Sequence, residues 1–99
     1  MELDDVRAFV SVAGCRSVSQ AARDLNITQS AVTRRLQRLE TSLGAALFDR
    51  RTRPVRLTTA GEAALGSCRR LINDIREVQA AVGKAMPPWA RFGLELRML

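Results

Sequence analysis

The sequence contains no histidine, no tyrosine and only two cysteines in 99 residues, and a single lysine stands among its sixteen basic residues. Each shortage excludes something. Without histidine the chain lacks the commonest general base and the commonest metal ligand. No paired carboxylate in an obvious pocket, no glycine-rich phosphate loop and no metal-ligand cluster takes its place, so an enzyme is the least supported class and neither a cofactor nor a metal is expected. Cys15 and Cys68 lack CxxC spacing, which argues against a zinc site and a disulfide framework; they read as small apolar fillers, and free thiols fit a reducing cytosol. Aromatic residues make up only 4%, so the core must be mostly aliphatic. No apolar run approaches the roughly 18 residues of a membrane span, and no signal peptide is visible.

What the chain does have is apolar content of 46% and a net charge of +6. The first is enough for one small domain, or a domain with an arm. The second is concentrated. Between residues 34 and 56 stand Arg34, Arg35, Arg38, Arg50, Arg51, Arg53 and Arg56 against Glu40 and Asp49, a balance of seven minus two, or +5. A clustered basic patch points to a polyanionic partner. A membrane surface is disfavoured because the patch lacks the wide apolar face of an interfacial helix.

The stretch 28–43, TQSAVTRRLQRLETSL, organises the chain. At about 100° per residue, Val32, Leu36, Leu39 and Leu43 form an apolar side. Gln29, Ser30, Thr33, Arg34 and Gln37 form a separate polar arc without an acid, able to hydrogen-bond base edges or phosphates. Taken alone it is either a DNA recognition helix or an ordinary amphipathic helix with a solvated face.

Its surroundings favour the first. A helix with Leu3, Val6, Val10 and Ala13 at spacings of three and four, and Phe9 beside them, precedes it and ends at Gly14; Glu2, Asp4 and Asp5 suit its first turn. Ser17 and Ser19 can cap a second helix over 18–25, with Ala21, Ala22 and Leu25 inward and small enough for close approach. Asn26 supplies a turn, Ile27 plugs the core and Thr28 caps the third helix, which is helix-turn-helix spacing. Gly44 stops the third helix. Extended pieces at 47–48 and 55–57 then flank a basic tip holding Arg50, Arg51, Arg53 and Pro54, a β-hairpin wing whose arginine can enter a narrow minor groove.

Thr58 and Thr59 open a long helix over 59–86, with Thr59 and Glu62 at capping-box spacing. Ala64, Cys68, Leu71, Ile75, Val78 and Val82 repeat in a four-three rhythm, a coiled-coil seam. At 1.5 Å per residue the helix runs about 40 Å, too long to bury on so small a body, so its seam predicts a second copy as partner. Its first turns can fold back through Ala60, Ala63 and Leu65. After the two prolines at 87 and 88, Leu94, Leu96 and Met98 alternate as a strand with no sheet to join, expected to begin a further domain.

The segment AARDLNITQSAVTRRLQRLETSLGAALFDRRTRPVRLTTAG resembles the N-terminal DNA-binding domain of LysR-type transcriptional regulators, and the resemblance extends over about residues 3–86. Its signals are Ala21-Ala22, Leu25, the run from Thr28 to Arg34, Leu39-Glu40, Leu43-Gly44, Leu47-Phe48, Arg50, Arg53, Leu57-Thr58 and Ala60-Gly61. The resemblance implies a mainly α fold: a winged helix-turn-helix over 1–58, a linker helix over 59–86 that pairs two subunits, and at 87–99 the start of an effector-binding domain. It implies DNA contacts from Gln29, Ser30, Thr33 and Arg34 on the recognition helix, from Thr28 at its cap and from Arg53 in the minor groove. Ser19, Arg38, Arg50 and Arg51 complete the expected DNA-facing set, Arg38 toward phosphate or solvent rather than bases. Cys15 and Val18 depart from the more usual serine and larger apolar residue, and Arg35 and Arg38 make this recognition helix more basic than many.

The expected partners are therefore duplex DNA with a dyad-symmetric operator and a second copy through the linker helix. Tetramers are expected in a full-length form, and a small-molecule inducer only where an effector domain exists. The rival class is a protein-interaction module in which the long helix is the active part and the basic patch incidental; it predicts that Arg34→Ala leaves function untouched.

Overall fold

The computed structural model describes residues 1–87 and 89. Four helices and one hairpin follow in the order α1 (Leu3–Cys15), α2 (Val18–Leu25), α3 (Gln29–Leu43), β1 (Phe48–Asp49), β2 (Arg56–Leu57) and α4 (Thr59–Ala85). This is a winged helix-turn-helix followed by a long helix. The strand expected at 94–98 lies outside the described residues.

Helix α1 is the wall that α2, α3 and the start of α4 lean on. Its buried stripe is Asp5, Val6, Ala8, Phe9 and Val12. That differs from the expected spacing. Leu3 lies about 120° round the helix from Phe9 and stays at the surface, while Val10 and Ala13 are half-buried. Nor does α1 end at Gly14. It runs to Cys15, and Arg16 takes the left-handed conformation that closes it (φ 56°), its N–H donating to the Val12 carbonyl. The Asp5 carboxylate, expected in the first turn as a dipole partner, stands there and is buried.

Ser17 caps α2 by accepting the Gln20 N–H at 3.1 Å, and its hydroxyl meets that of Ser19 at 3.0 Å. Ala21 and Ala22 are buried, as close packing of α2 on α1 and α3 requires. Asn26 then adopts the left-handed region (φ 56°), where its short polar side chain is tolerated, and Thr28 caps α3 by accepting the Ala31 N–H. Val32, Leu36 and Leu39 fill the core beneath α3. Leu43 does not: it is 44% exposed, in the last turn of α3 before Gly44 (φ 70°) turns the chain.

The hairpin pairs Phe48 with Leu57 and Asp49 with Arg56. Phe48 pins it to the core by a tilted contact with Phe9, ring centroids 5.4 Å apart, worth about 0.5–1.5 kcal/mol beyond buried area. Glu40, on the last turns of α3, ties the hairpin from the other side. One carboxylate oxygen accepts the Leu47 N–H at 2.7 Å and the other accepts from Arg50 at 2.8 Å.

Thr58, not Thr59, caps α4. Its Oγ1 accepts the Gly61 N–H at 3.0 Å and donates to the Ala46 carbonyl at 2.6 Å, so one hydroxyl both starts the helix and holds the loop before β1. Thr59 is inside the helix and exposed, so its capping-box spacing with Glu62 is not used. The inward residues of α4 are Ala60, Gly61, Ala64, Leu65, Cys68 and Ile72, the last only 5% exposed; Ala63 faces outward.

Candidate nucleic-acid interface

The polar start of α3 stands clear of the body. Gln29, Ser30, Arg34 and Gln37 are exposed and Thr33 is half-buried. Thr28 sits at the tip as the cap, with the free backbone N–H groups of the first turn beside it. This end of the helix is proud because the three-residue turn swings it away from α2, while Val32, Leu36 and Leu39 fasten the opposite side.

Two clefts flank it. One, of about 410 Å³, brings Ser19 and Gln29 together with Arg50 and Arg53 of the wing. Residues on three separate elements thus share a single concave face. Arg16 joins them; it was missed because nothing in the sequence marks an arginine as a left-handed helix cap. The other cleft, of about 740 Å³, lies between the start of α1 and the far flank of α3, and Arg34, Arg35, Gln37 and Arg38 face it. Both clefts are open grooves at the surface, suited to a polymer lying across them rather than to an enclosed small molecule.

The arginines differ in what holds them. Arg34 and Arg53 have no ion-pair partner among the described residues. Arg50 is tied to Glu40 at 2.8 Å. Arg51 closes on Asp49 within the wing: Nε and the backbone N–H both reach Oδ1 at 3.0 Å. Those hydrogen bonds, side chain first and backbone second, lower the Asp49 pKa from 3.8 to about 2, and Asp49 in turn raises that of Arg51. Arg38 lies over the buried Asp5. Of the four expected wing and flank arginines, then, only Arg53 is unpaired, and Arg50, Arg51 and Arg38 each carry a carboxylate.

The expected seam on α4 divides. Ala64 and Cys68 turn partly into this chain's own core, and burial pushes the Cys68 thiol pKa up, which disfavours the thiolate. Ile75 is half-buried. Leu71, Val78 and Val82 are 43%, 62% and 51% exposed. Ile72 was missed for a helical reason. The core takes the side of α4 that carries Gly61, Leu65, Cys68 and Ile72, and Leu71, about 100° round the helix from Ile72, faces away from it. Among the described residues no helix is long and apolar enough to cross a membrane.

Residues 3–62 match the family model described as bacterial regulatory helix-turn-helix protein, lysR family. The chain belongs to the LysR family. Among curated LysR-family relatives, the uncharacterized HTH-type transcriptional regulator YbhD of Escherichia coli is 46% identical over 76 residues, covering 77% of this chain and 24% of YbhD. An HTH-type transcriptional regulator of Xanthomonas campestris pv. campestris is 37% identical over 94 residues, covering 92% of this chain and 27% of its own length. The chain thus spans about a quarter of the length of these relatives. Among solved structures, the BenM DBD/catB site 1 DNA complex superposes with a TM-score of 0.81 at 32% identity, covering 86% of this chain and 96% of that one. Vibrio fischeri DarR in complex with DNA superposes with a TM-score of 0.79 at 33% identity, covering 86% of this chain and 29% of DarR.

Proposed function

We propose that this chain is the sequence-specific DNA-binding part of a dimeric LysR-type transcriptional regulator acting in the cytoplasm. Residues 1–58 read DNA and residues 59–86 link two copies. The observation that carries the reading is the shared face of α2, α3 and the wing: Ser19 and exposed Gln29 stand with Arg50 and Arg53 around one cleft whose lining holds no acid, and Ser30 and Arg34 are exposed on the same helix as Gln29. The similar BenM and DarR structures, both solved with DNA, support the same use of this fold.

In this reading α3 enters the major groove by its N-terminal end. Gln29, Ser30, Thr33 and Arg34 contact base edges, where glutamine suits adenine and arginine suits guanine. Thr28 and the amides of the first turn hold a phosphate. Arg53, on the wing tip, enters the neighbouring minor groove, and Ser19, Arg50 and Arg51 line the backbone between the two. Contacts to phosphate fix the register, and contacts to bases choose the sequence.

A second copy packs along the outer half of α4, where Leu71, Val78 and Val82 are exposed. Two reading heads on one face of the duplex demand an operator with dyad symmetry. Pairing of dimers into tetramers, and response to a small molecule, belong to any effector domain that accompanies this chain. The relatives are regulators, so no catalytic step is assigned.

Selection of bound sequences from a random duplex library tests the reading. A pair of inverted half-sites is the expected outcome. Failure to enrich any sequence contradicts it.

A further inference from the structure

Asp5 is a fully buried carboxylate to which the recognition scheme gives no task. Both of its oxygens are occupied. Oδ2 accepts the Glu2 N–H at 3.1 Å, and Oδ1 accepts from Arg38 through Nη2 at 2.8 Å and Nε at 3.2 Å. The pair is lopsided: the Asp5 side chain is 1% exposed and that of Arg38 is 60% exposed. In an ordinary surface ion pair either side chain can swing away into water at little cost. Here Arg38 cannot leave without stranding a buried charge, so its guanidinium is held in place.

We propose that Asp5 is a positioning residue for DNA binding, holding Arg38 so that its unpaired edge donates to a backbone phosphate beside the base-reading residues. The inference rests on the DNA-binding reading of α3. A guanidinium carries five N–H donors in a planar fork. Asp5 uses one from Nε and one from Nη2. The remaining donors, on Nη1 and the outer side of Nη2, have no partner among the described residues, and Arg38 lines the cleft together with Arg34, Arg35 and Gln37. Arg38 follows Arg34 by one turn of α3, which puts it on the flank of the reading face, where the duplex presents backbone rather than bases. The acids of this cleft are Glu2, which is exposed, and Asp5, whose charge is already spent on Arg38.

Tethering matters because a free arginine must give up rotamer freedom when it meets a phosphate. Arg38 has given it up in the free protein. The same geometry makes lysine a poor substitute: an ammonium held by Asp5 has no second edge to present, and one released to the phosphate leaves Asp5 unpaired. The competing role for Asp5 is simple neutralisation, which would withdraw Arg38 from DNA and restrain nonspecific affinity.

The test measures binding of the full chain to its selected duplex and to a random duplex across a salt series. The variants are Arg38→Ala, Arg38→Lys, Asp5→Asn and the Asp5→Asn/Arg38→Ala pair, with Arg34→Ala as control. Positioning predicts that Arg38→Ala weakens both duplexes alike, on the order of tenfold, and lowers the salt slope by about 1. Arg38→Lys loses most of the same affinity although it keeps the charge. Asp5→Asn weakens binding when Arg38 is present and has no such effect in the Arg38→Ala background. Parent-like binding by Arg38→Lys, or tighter binding by Asp5→Asn, overturns the proposal. Should Asp5→Asn fail to fold, as judged by its melting, the comparison of Arg38→Ala with Arg38→Lys decides alone. If Arg34→Ala abolishes sequence preference while Arg38→Ala is silent, the positioning role falls and the DNA-binding reading stands. If the parent binds no duplex, the DNA-binding reading itself fails.

Discussion

Gly61 shows how little room a single residue can have here. It sits in the first turn of α4, pressed on the hairpin. A Cβ at this position would overlap the Leu47 carbonyl oxygen and meet the Leu57 side chain at 2.9 Å. The carbonyl is backbone and also receives the Thr58 N–H, so it cannot move aside freely. Gly61→Ala should therefore destabilise by about 2–3 kcal/mol, and thermal melting should report a midpoint lower by on the order of 10 °C. An unchanged midpoint would mean that α4 can shift off the wing at no cost. Asp49 offers a pH test of the wing. Its folded pKa, lowered by Arg51 from 3.8 to about 2, lies below the unfolded value. Its contribution is then present above about pH 4 and is lost as pH falls through about 2. A carboxyl titration followed by NMR should place Asp49 near 2, and a midpoint near 4 would show that the Arg51 contact is absent in solution. Single-residue roles were the least legible part of the sequence. Asp5 looked like a dipole acid because helix position was visible and the depth of α1 beneath α3 was not. The pairing of Arg38 and Arg50 was hidden because their carboxylate partners, Asp5 and Glu40, lie 33 and 10 residues away in the chain.

The elements themselves were largely legible, because each buries a stripe whose period shows in the sequence. Helices α2 and α3, the turn between them and the two short strands emerge close to their expected bounds. The exposed start of α3 also follows from local signals, the Thr28 cap and the apolar spacing behind it. On that element, Arg34→Ala or Gln29→Ala should cost about 1–3 kcal/mol on the selected operator and little on random DNA. Equal losses on both, in a competition assay, would reassign the residue to a phosphate. How α4 shares its surface was not legible. The four-three rhythm told of a seam, yet Ala64 and Cys68 are drawn into the chain's own core and Ile72 outside the rhythm is buried, since the core takes whichever side of the helix faces it. The better probe of pairing is therefore Val78, at 62% exposed, rather than a residue that also supports the body. Val78→Asp should place an unpaired charge in the seam. Sedimentation should then find a monomer whose helical body melts as before, whereas a persisting dimer would put the interface elsewhere.

At the scale of the whole molecule the body and the arm divide the labour. The radius of gyration is 16.6 Å and the long axis 51 Å, against about 13 Å for a compact chain of about 100 residues. The outer half of α4 projects from the body instead of lying on it. The +5 carried between residues 34 and 56 falls on α3, the wing and the strands that bear it, the elements to which the proposed function assigns DNA contact. Such an arrangement should release counterions when it binds. The measurement closest to the central claim is affinity for the selected duplex as a function of salt concentration, with Arg34→Ala and Arg53→Ala alongside. A dimer that contacts about six to ten phosphates should lose about 10³–10⁵-fold in affinity between about 50 and 200 mM salt. Arg34→Ala should flatten the preference for that duplex over random sequence. Affinity that stays constant across the salt range, or a sequence preference untouched by Arg34→Ala, would contradict the account.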